Sequence, residues 1–351
     1  MNEVLARAAR FLREEVAPNA AEIDRDEEAL RRALAGLGRE GLLALKRPME
    51  FGGPALPELE FRHFQIEVAR ASGTLAFLQT QHQSAASLIA RGSNDDLKQR
   101  VLPHMADGTH LTGVGFSQLR RSGPPLVIAA PCAGGYRFTG NVPWVTGHGY
   151  FHDFLLAGEL PDGSAVFGLM PLQDCDRASL SPRMRLSAFE VANTVSIDLD
   201  GFFIPEEDVA GIRPRGWIQE NDMLNIVLQG YFALGCALAA NDLVQAAAER
   251  KSSDRLHLAH RQLARMADSL REEMDEVAKA QVEAPIKLQA RARAIALAAR
   301  AAHVAVAAGG GGSVAAGSAA GRVYREAMVY TVSAQTPDIL DATLDELLGP
   351  G

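Results

Sequence analysis

Cysteine is scarce in this chain. Only Cys132, Cys175 and Cys236 occur in 351 residues, an odd number with no C-x-x-C spacing. That speaks against a disulfide framework or a structural zinc, gives no metal site to expect, and fits a reducing cytoplasm. An excess of positive charge is also lacking: 35 Lys and Arg stand against 43 Asp and Glu, a net charge of −8. No global basic field invites nucleic acid or an anionic membrane. No apolar run reads as long enough to span a bilayer. Acids at Glu3, Glu14 and Glu15 are unlike a secretory leader. Internal repeats are missing as well. What remains is ordinary for a soluble globular protein, 47% apolar and 22% charged. The chain is long enough for two or three packed units.

Residues 1–110 read as helices. Val4, Leu5, Ala8, Phe11, Leu12 and Val16 keep a helical period, and Pro18 marks its end. Further helices are expected over 30–45, 60–71 and 75–90, the last carrying a polar insert of Gln79, Gln81, His82, Gln83 and Ser84. From about 111 to 215 the texture changes, with more Gly, Pro and β-branched residues. Strands are expected over 114–117, 154–160, 165–172 and 195–200, with Asp162-Gly163 as a hairpin turn. Residues 216–351 turn helical again, over 221–248, 256–280, 284–308 and 319–333. Four glycines from Gly309 to Gly312 stop the alanine-rich third of these.

The run from Gly134 to Gly147 concentrates the chemistry. Paired short strands around Gly140-Asn141 are the simplest reading, with Pro143 delaying the second strand or placing it at an edge. Trp144 and Thr146 would then share one face, so a flat ring could stack on the indole while the hydroxyl bonds its edge. A buried Trp in a β core with an exposed Thr explains the same spacing.

The order of landmarks resembles the acyl-CoA dehydrogenase superfamily of flavoproteins, nearly end to end. Residues 46–54 are similar to its Pro/Gly-Gly loop, and 69–84 to the helix that approaches its active site. Residues 92–103 resemble its "G-(S/T)-x-x-Q-K-x-x-Y-L-P" segment, 140–146 its "G-x-K-x-W-I-T" strand, and 204–211 the end of its β domain. The resemblance implies an α+β, three-domain fold: an N-terminal helical domain (1–110), a middle β-barrel or sandwich domain (111–215) and a C-terminal four-helix bundle (216–351). It implies bound FAD, with FMN as the alternative flavin. Trp144 would lie against the flavin ring, Thr146 at its reactive edge, and Ser117 at its pyrimidine side. Arg250 and Ser252 would reach the pyrophosphate of a neighbouring subunit's flavin. Gly310 and Gly311 would let backbone approach the cofactor, and Thr336 would sit near its adenine-side phosphates. A homodimer or homotetramer follows. Substrate would be an acyl-CoA or another small molecule, with the electron acceptor or flavin reductase unspecified.

The chain also departs from the family. Acyl-CoA dehydrogenation needs a carboxylate to remove the α proton while hydride leaves for the flavin. The usual Glu position holds Ala334, and the alternative position on a helix near 225 holds Asn225. Ser253, Ala307 and Asp338 replace the family's Phe and two Gln at flavin contacts. Among relocated bases, Glu326 lies about half a turn out of phase and Asp338 occupies a cofactor position. Three readings stand: a dehydrogenase acting on CH–CH bonds, a flavin monooxygenase of the same fold, or a degenerate homologue serving in binding or assembly. For the second, His82 and Ser333 are the catalytic candidates, with Ser84 and Tyr330 behind them.

Overall fold

The computed structural model describes residues 3–280 and 282–349. The N-terminal part holds α1 (Glu3–Phe11), α2 (Ala20–Ile23), α3 (Glu27–Arg39), α4 (Glu58–Ala71), α5 (Gly73–Ala90) and α6 (Asp95–Val101). Asp26 caps α3 by accepting from Ala29 N–H, Ser72 caps α5 through Leu75, and Asn94 caps α6 through Leu97. α3 stops earlier than its apolar pattern suggests. Gly41 and Ala44 turn left-handed, and Gln83 of α5 bonds the backbone of Leu42 and Leu45 in the following loop.

Eight strands follow: β1 (Thr112–Gly115), β2 (Val127–Cys132), β3 (Gly135–Thr146), β4 (Asp153–Glu159), β5 (Ala165–Pro171), β6 (Ala178–Leu180), β7 (Thr194–Pro205) and β8 (Val209–Arg213). They form one sheet in the order β6-β7-β3-β2-β4-β5-β8, with β1 parallel to β4. The Asp162-Gly163 turn joins β4 to β5, with Gly163 at φ 82°. Three strands had no expectation attached: β2, β6 and β8.

The hairpin expected at Gly140-Asn141 is corrected by the structure. β3 runs unbroken through it, and the turn lies instead at Gly134, φ 77°, between β2 and β3. Gly140 serves close approach: a Cβ there would lie 1.9 Å from Leu126 O. Pro143 does disturb the pairing. It brings no N–H to the ladder, and the β3–β7 register shifts between Val142 and Val145. Beside it Trp144 is 50% exposed, while Thr146 is buried.

The C-terminal part holds α7 (Trp217–Leu224), α8 (Leu228–Lys251), α9 (Asp254–Lys279), α10 (Ala284–Gly309), α11 (Ala319–Val332) and α12 (Pro337–Leu348). A single helix over 221–248 was expected. Instead α7 and α8 meet at a 43° bend. Asn225 Nδ2 donates back to Asn221 O at 2.7 Å, a side-chain bond that competes with the helix ladder. α10 corrects a second expectation. With the following turn, Ala284–Val314 is long and apolar enough to cross a membrane by length and composition. Here its apolar face is a core face: Ala290, Ala294, Ala298, Ala301 and Ala305 are buried, and α8, α9, α11 and α12 pack on it.

Phe189 joins the three parts. It sits in the loop before β7 at φ 59°, stacks on Phe77 of α5 at 4.9 Å, and lies 5.9 Å from Tyr330 of α11. Its ring is buried against both helical parts at once.

Candidate functional site

A cleft of about 160 Å³ opens where all three parts meet. α4 and α5 supply Gln65, Thr80, Ser84 and Ser87 to its wall. The turn after β1 supplies Phe116 and Arg120, and the α7–α8 bend supplies Asn221, Asp222, Asn225 and Gln229. Arg291 of α10 and Ala334, just after α11, complete it. The two positions at which the resemblance places a base, Asn225 and Ala334, therefore line one cavity although far apart in sequence. Neither is acidic. Ala334 is also held left-handed, at φ 47°.

The cleft has one carboxylate in its lining, Asp222, and that group is engaged. Arg120 grips it with two parallel bonds, Nε to Oδ2 at 2.7 Å and Nη2 to Oδ1 at 2.8 Å. Both side chains are mostly covered, at 22% and 15% exposure, which strengthens the pair beyond a surface salt bridge. Aromatic rings brace this wall: Phe116 packs edge-on to Phe167, and Phe167 edge-on to Trp217.

Arg291 is nearly inaccessible, at 2% exposure. Its Nη1 reaches Ile226 O at 3.4 Å, and Nη2 donates to Ser333 O. One guanidinium thus holds the carbonyls next to both base positions. Its Nε–H has no acceptor. Burial pulls its pKa down to about 10, with Asp222 opposing that fall and Arg120 adding to it, so it remains a cation at neutral pH.

His82 does not join this cleft. Its Nδ1 accepts from Thr112 N–H at 3.0 Å, and Nε2 meets Met105 O at 2.8 Å, so Nε2 carries the proton. The ring is fully buried, and desolvation lowers its pKa to about 4. A neutral imidazole with both nitrogens held by backbone sews α5 to β1; the catalytic role expected of it has no geometric support. Ser333, the other candidate, donates its hydroxyl to Val329 O at 2.9 Å and ends α11. Tyr330 is buried against Phe189 and Phe232. Glu326 is buried with Arg322 and lies outside the cleft lining. Ser84 does line it. His152, also near the Trp strand, accepts from Leu111 N–H and stacks on His110.

The expected cofactor residues fall into two neighbourhoods. In the first, the short turn carrying Ser117 packs against β3, which carries Trp144 and Thr146. Ser117 Oγ is buried without a partner, and Thr146 Oγ1 pairs with Thr194 Oγ1 at 3.0 Å. In the second, Lys251 Nζ donates to Ala308 O at 2.6 Å and ties the end of α8 to the glycine run. Arg250 and Ser252 are exposed there, Gly310 has φ 72°, and a Cβ on Gly311 would meet nothing within 4 Å. Thr336 and Ser253 are helix caps, accepting from Ile339 and Leu256 N–H respectively. Capping accounts for Ser253 where the family's pattern has Phe. Among the described residues no cluster of His, Cys, Asp or Glu is placed to hold a metal.

Sequence reasoning missed Arg291, Arg120 and Asp222. A signal existed for Arg291: it shares a helical face with Ala294, Ala298 and Ile295, all buried, where a lone cation stands out.

Residues 2–109 match the family described as acyl-CoA dehydrogenase, N-terminal domain. The mitochondrial isovaleryl-CoA dehydrogenase of Pongo abelii is 26% identical over 221 residues, covering 59% of this chain and 52% of its own length. The Bos taurus enzyme of the same name is 31% identical over 165 residues, 45% of this chain and 38% of its own. The chain spans about half the length of the first of these curated relatives, and less of the second. Among solved structures, glutaryl-coenzyme A dehydrogenase in its glutaryl-CoA complex superposes with a TM-score of 0.83 at 17% identity, covering 99% of this chain and 95% of that one. Butyryl-CoA dehydrogenase from Megasphaera elsdenii gives 0.80 at 15% identity, covering 99% of each. Residues 2–109 therefore match the acyl-CoA dehydrogenase N-terminal domain, and the three-part fold of the whole chain is similar to that of the solved acyl-CoA dehydrogenases.

Proposed function

We propose that this protein is a flavin-dependent oxidoreductase of acyl-CoA dehydrogenase type, acting on an acyl-CoA or related acyl substrate. The observation that carries the proposal is the cleft itself, which gathers both base positions at the junction of the three parts. The residues present fit a flavin. A half-exposed indole has a face to cover, and the Ser117 hydroxyl beside that strand is buried without a partner. The exposed Arg250 and the open backbone at Gly311 suit a pyrophosphate. FAD, when bound, supplies the redox step. The chain's own residues would bind and orient: Trp144 covers a ring face, Ser117 and Thr146 offer hydroxyls, and the aromatic wall at Phe116 and Trp217 excludes water.

Proton removal is where the chain differs. A general base is worth about 10²- to 10⁴-fold, and the cleft's one acid is committed to Arg120. That absence favours a second reading, a monooxygenase of the same fold that needs no such base. The test is anaerobic mixing of the purified protein with butyryl-CoA and, separately, with the carboxylated glutaryl-CoA, then exposure to air. Bleaching of a flavin by either acyl-CoA supports the dehydrogenase. Fast reoxidation with oxygenated product, and no reduction by acyl-CoA, supports the monooxygenase. No flavin at all would overturn both.

A further inference from the structure

We propose that the cleft is an anion subsite in which Arg291 takes a carboxylate of the substrate, so that the acyl group is short and carries a free carboxylate. The proposal rests on the preceding reading for the identity of the cleft as the substrate site.

The first argument is satisfaction. A guanidinium has five N–H donors. Arg291 uses two backbone carbonyls, one of them at a long 3.4 Å, and its buried Nε–H has no acceptor. Each Nη also keeps a second N–H beyond those bonds, on a side chain that contributes to the cleft wall, and buried donors without acceptors are costly and uncommon. The second argument is charge. Four cations contribute to the lining: Lys46, Arg91, Arg120 and Arg291. Glu58 pairs with Lys46 and Asp222 with Arg120. Arg91 and Arg291 have no carboxylate at salt-bridge distance among the described residues, so the cavity keeps an uncompensated positive charge. The third is the rest of the wall. Gln65, Thr80, Ser84, Asn221, Asn225 and Gln229 offer amides and hydroxyls, a poor solvent for an aliphatic chain and a good one for a polar acid. The volume, that of about five water molecules, suits a group of a few carbons.

A carboxylate is preferred to a phosphate because a guanidinium with backbone already on two nitrogens has few donors left, all in one plane, which suits two planar oxygens and not the three of a phosphate. In members that carry a Glu in this cleft, that acid would neutralise the cation. Here both base positions are neutral, which leaves the charge for a ligand.

Calorimetric titration of the purified full chain tests this. The probes are butyrate, its neutral isostere butyramide, and inorganic phosphate. Butyrate is expected to bind and butyramide to bind at least about tenfold more weakly. Arg291→Gln is expected to weaken butyrate by about 10- to 100-fold. Because that change also frees two carbonyls and could cost folding, Asn225→Asp is the second variant. It keeps Arg291 in place, supplies an internal carboxylate, and is expected to lose butyrate binding to a similar degree. Butyramide binding as tightly as butyrate would overturn the proposal. So would butyrate binding within about threefold of wild type in a folded variant of either kind, or phosphate binding more tightly than butyrate. The titration does not depend on flavin, so a colourless protein that still bound butyrate through Arg291 would sink the flavin reading and leave the subsite standing.

Discussion

Ala334→Glu places a carboxylate at the position where the resemblance puts the base. The backbone there is already left-handed at φ 47°, so replacing one L-residue by another adds no new backbone strain. The new side chain would enter the cleft next to Ser333, whose carbonyl is held by Arg291. A positioned general base lowers the barrier to proton removal by about 3–5 kcal/mol, or 10²- to 10⁴-fold in rate. Proximity to Arg291 favours the ionised carboxylate and makes it a weaker base. The expected gain is therefore at the lower end, about 100-fold. Stopped-flow loss of flavin absorbance, on anaerobic mixing with butyryl-CoA, measures it directly. A rate within about threefold of the parent, in a variant that folds and holds flavin, would refute the idea that a missing base limits the reaction.

Other consequences concern stability. His82 has its pKa lowered from 6.5 to about 4 by burial, so between those values the unfolded chain binds a proton that the folded chain refuses. Stability should fall as pH drops through that window, by roughly 3 kcal/mol for this one group. Urea denaturation of wild type against His82→Asn checks it, and an unchanged pH slope in the variant would contradict it. Ala334→Gly should stabilise: relief of left-handed strain is worth about 1–2 kcal/mol, against about 0.4–1 kcal/mol of added unfolded-chain entropy. A melting temperature higher by about 1–2 °C is expected, and a lower one would show that the Ala334 conformation is not strained.

Much of the helical framework was legible because its signals are local. Asn94 stands at a cap, and the glycine run ends α10; Thr336, expected near a cofactor's phosphates, is also a cap. The Asp162-Gly163 turn was equally readable. The bend between α7 and α8 was not, since no Pro or Gly marks it; it depends on Asn225 bonding back to Asn221 and on a carbonyl taken by Arg291 from another helix. Trp144 was found, but the register shift that Pro143 brings to the β3–β7 pairing beside it was not placed, because the sequence does not show the partner strand. His82 looked functional on a dense polar helix segment. That density turns out to be stitching: Gln79 reaches Gln65, Gln83 the loop after α3, and His82 the start of the sheet. Arg120 and Asp222 lie 102 positions apart, and only the folded chain reveals that they neutralise each other.

The absorbance spectrum of the purified full chain, recorded alongside Trp144→Ala, tests the central claim most directly. A stoichiometric flavin in the wild type and a depleted one in the variant are predicted, since an exposed indole face loses its purpose without a ring to cover. A wild-type chain that is colourless and takes up no added FAD, or a variant that retains flavin undiminished, would contradict the account.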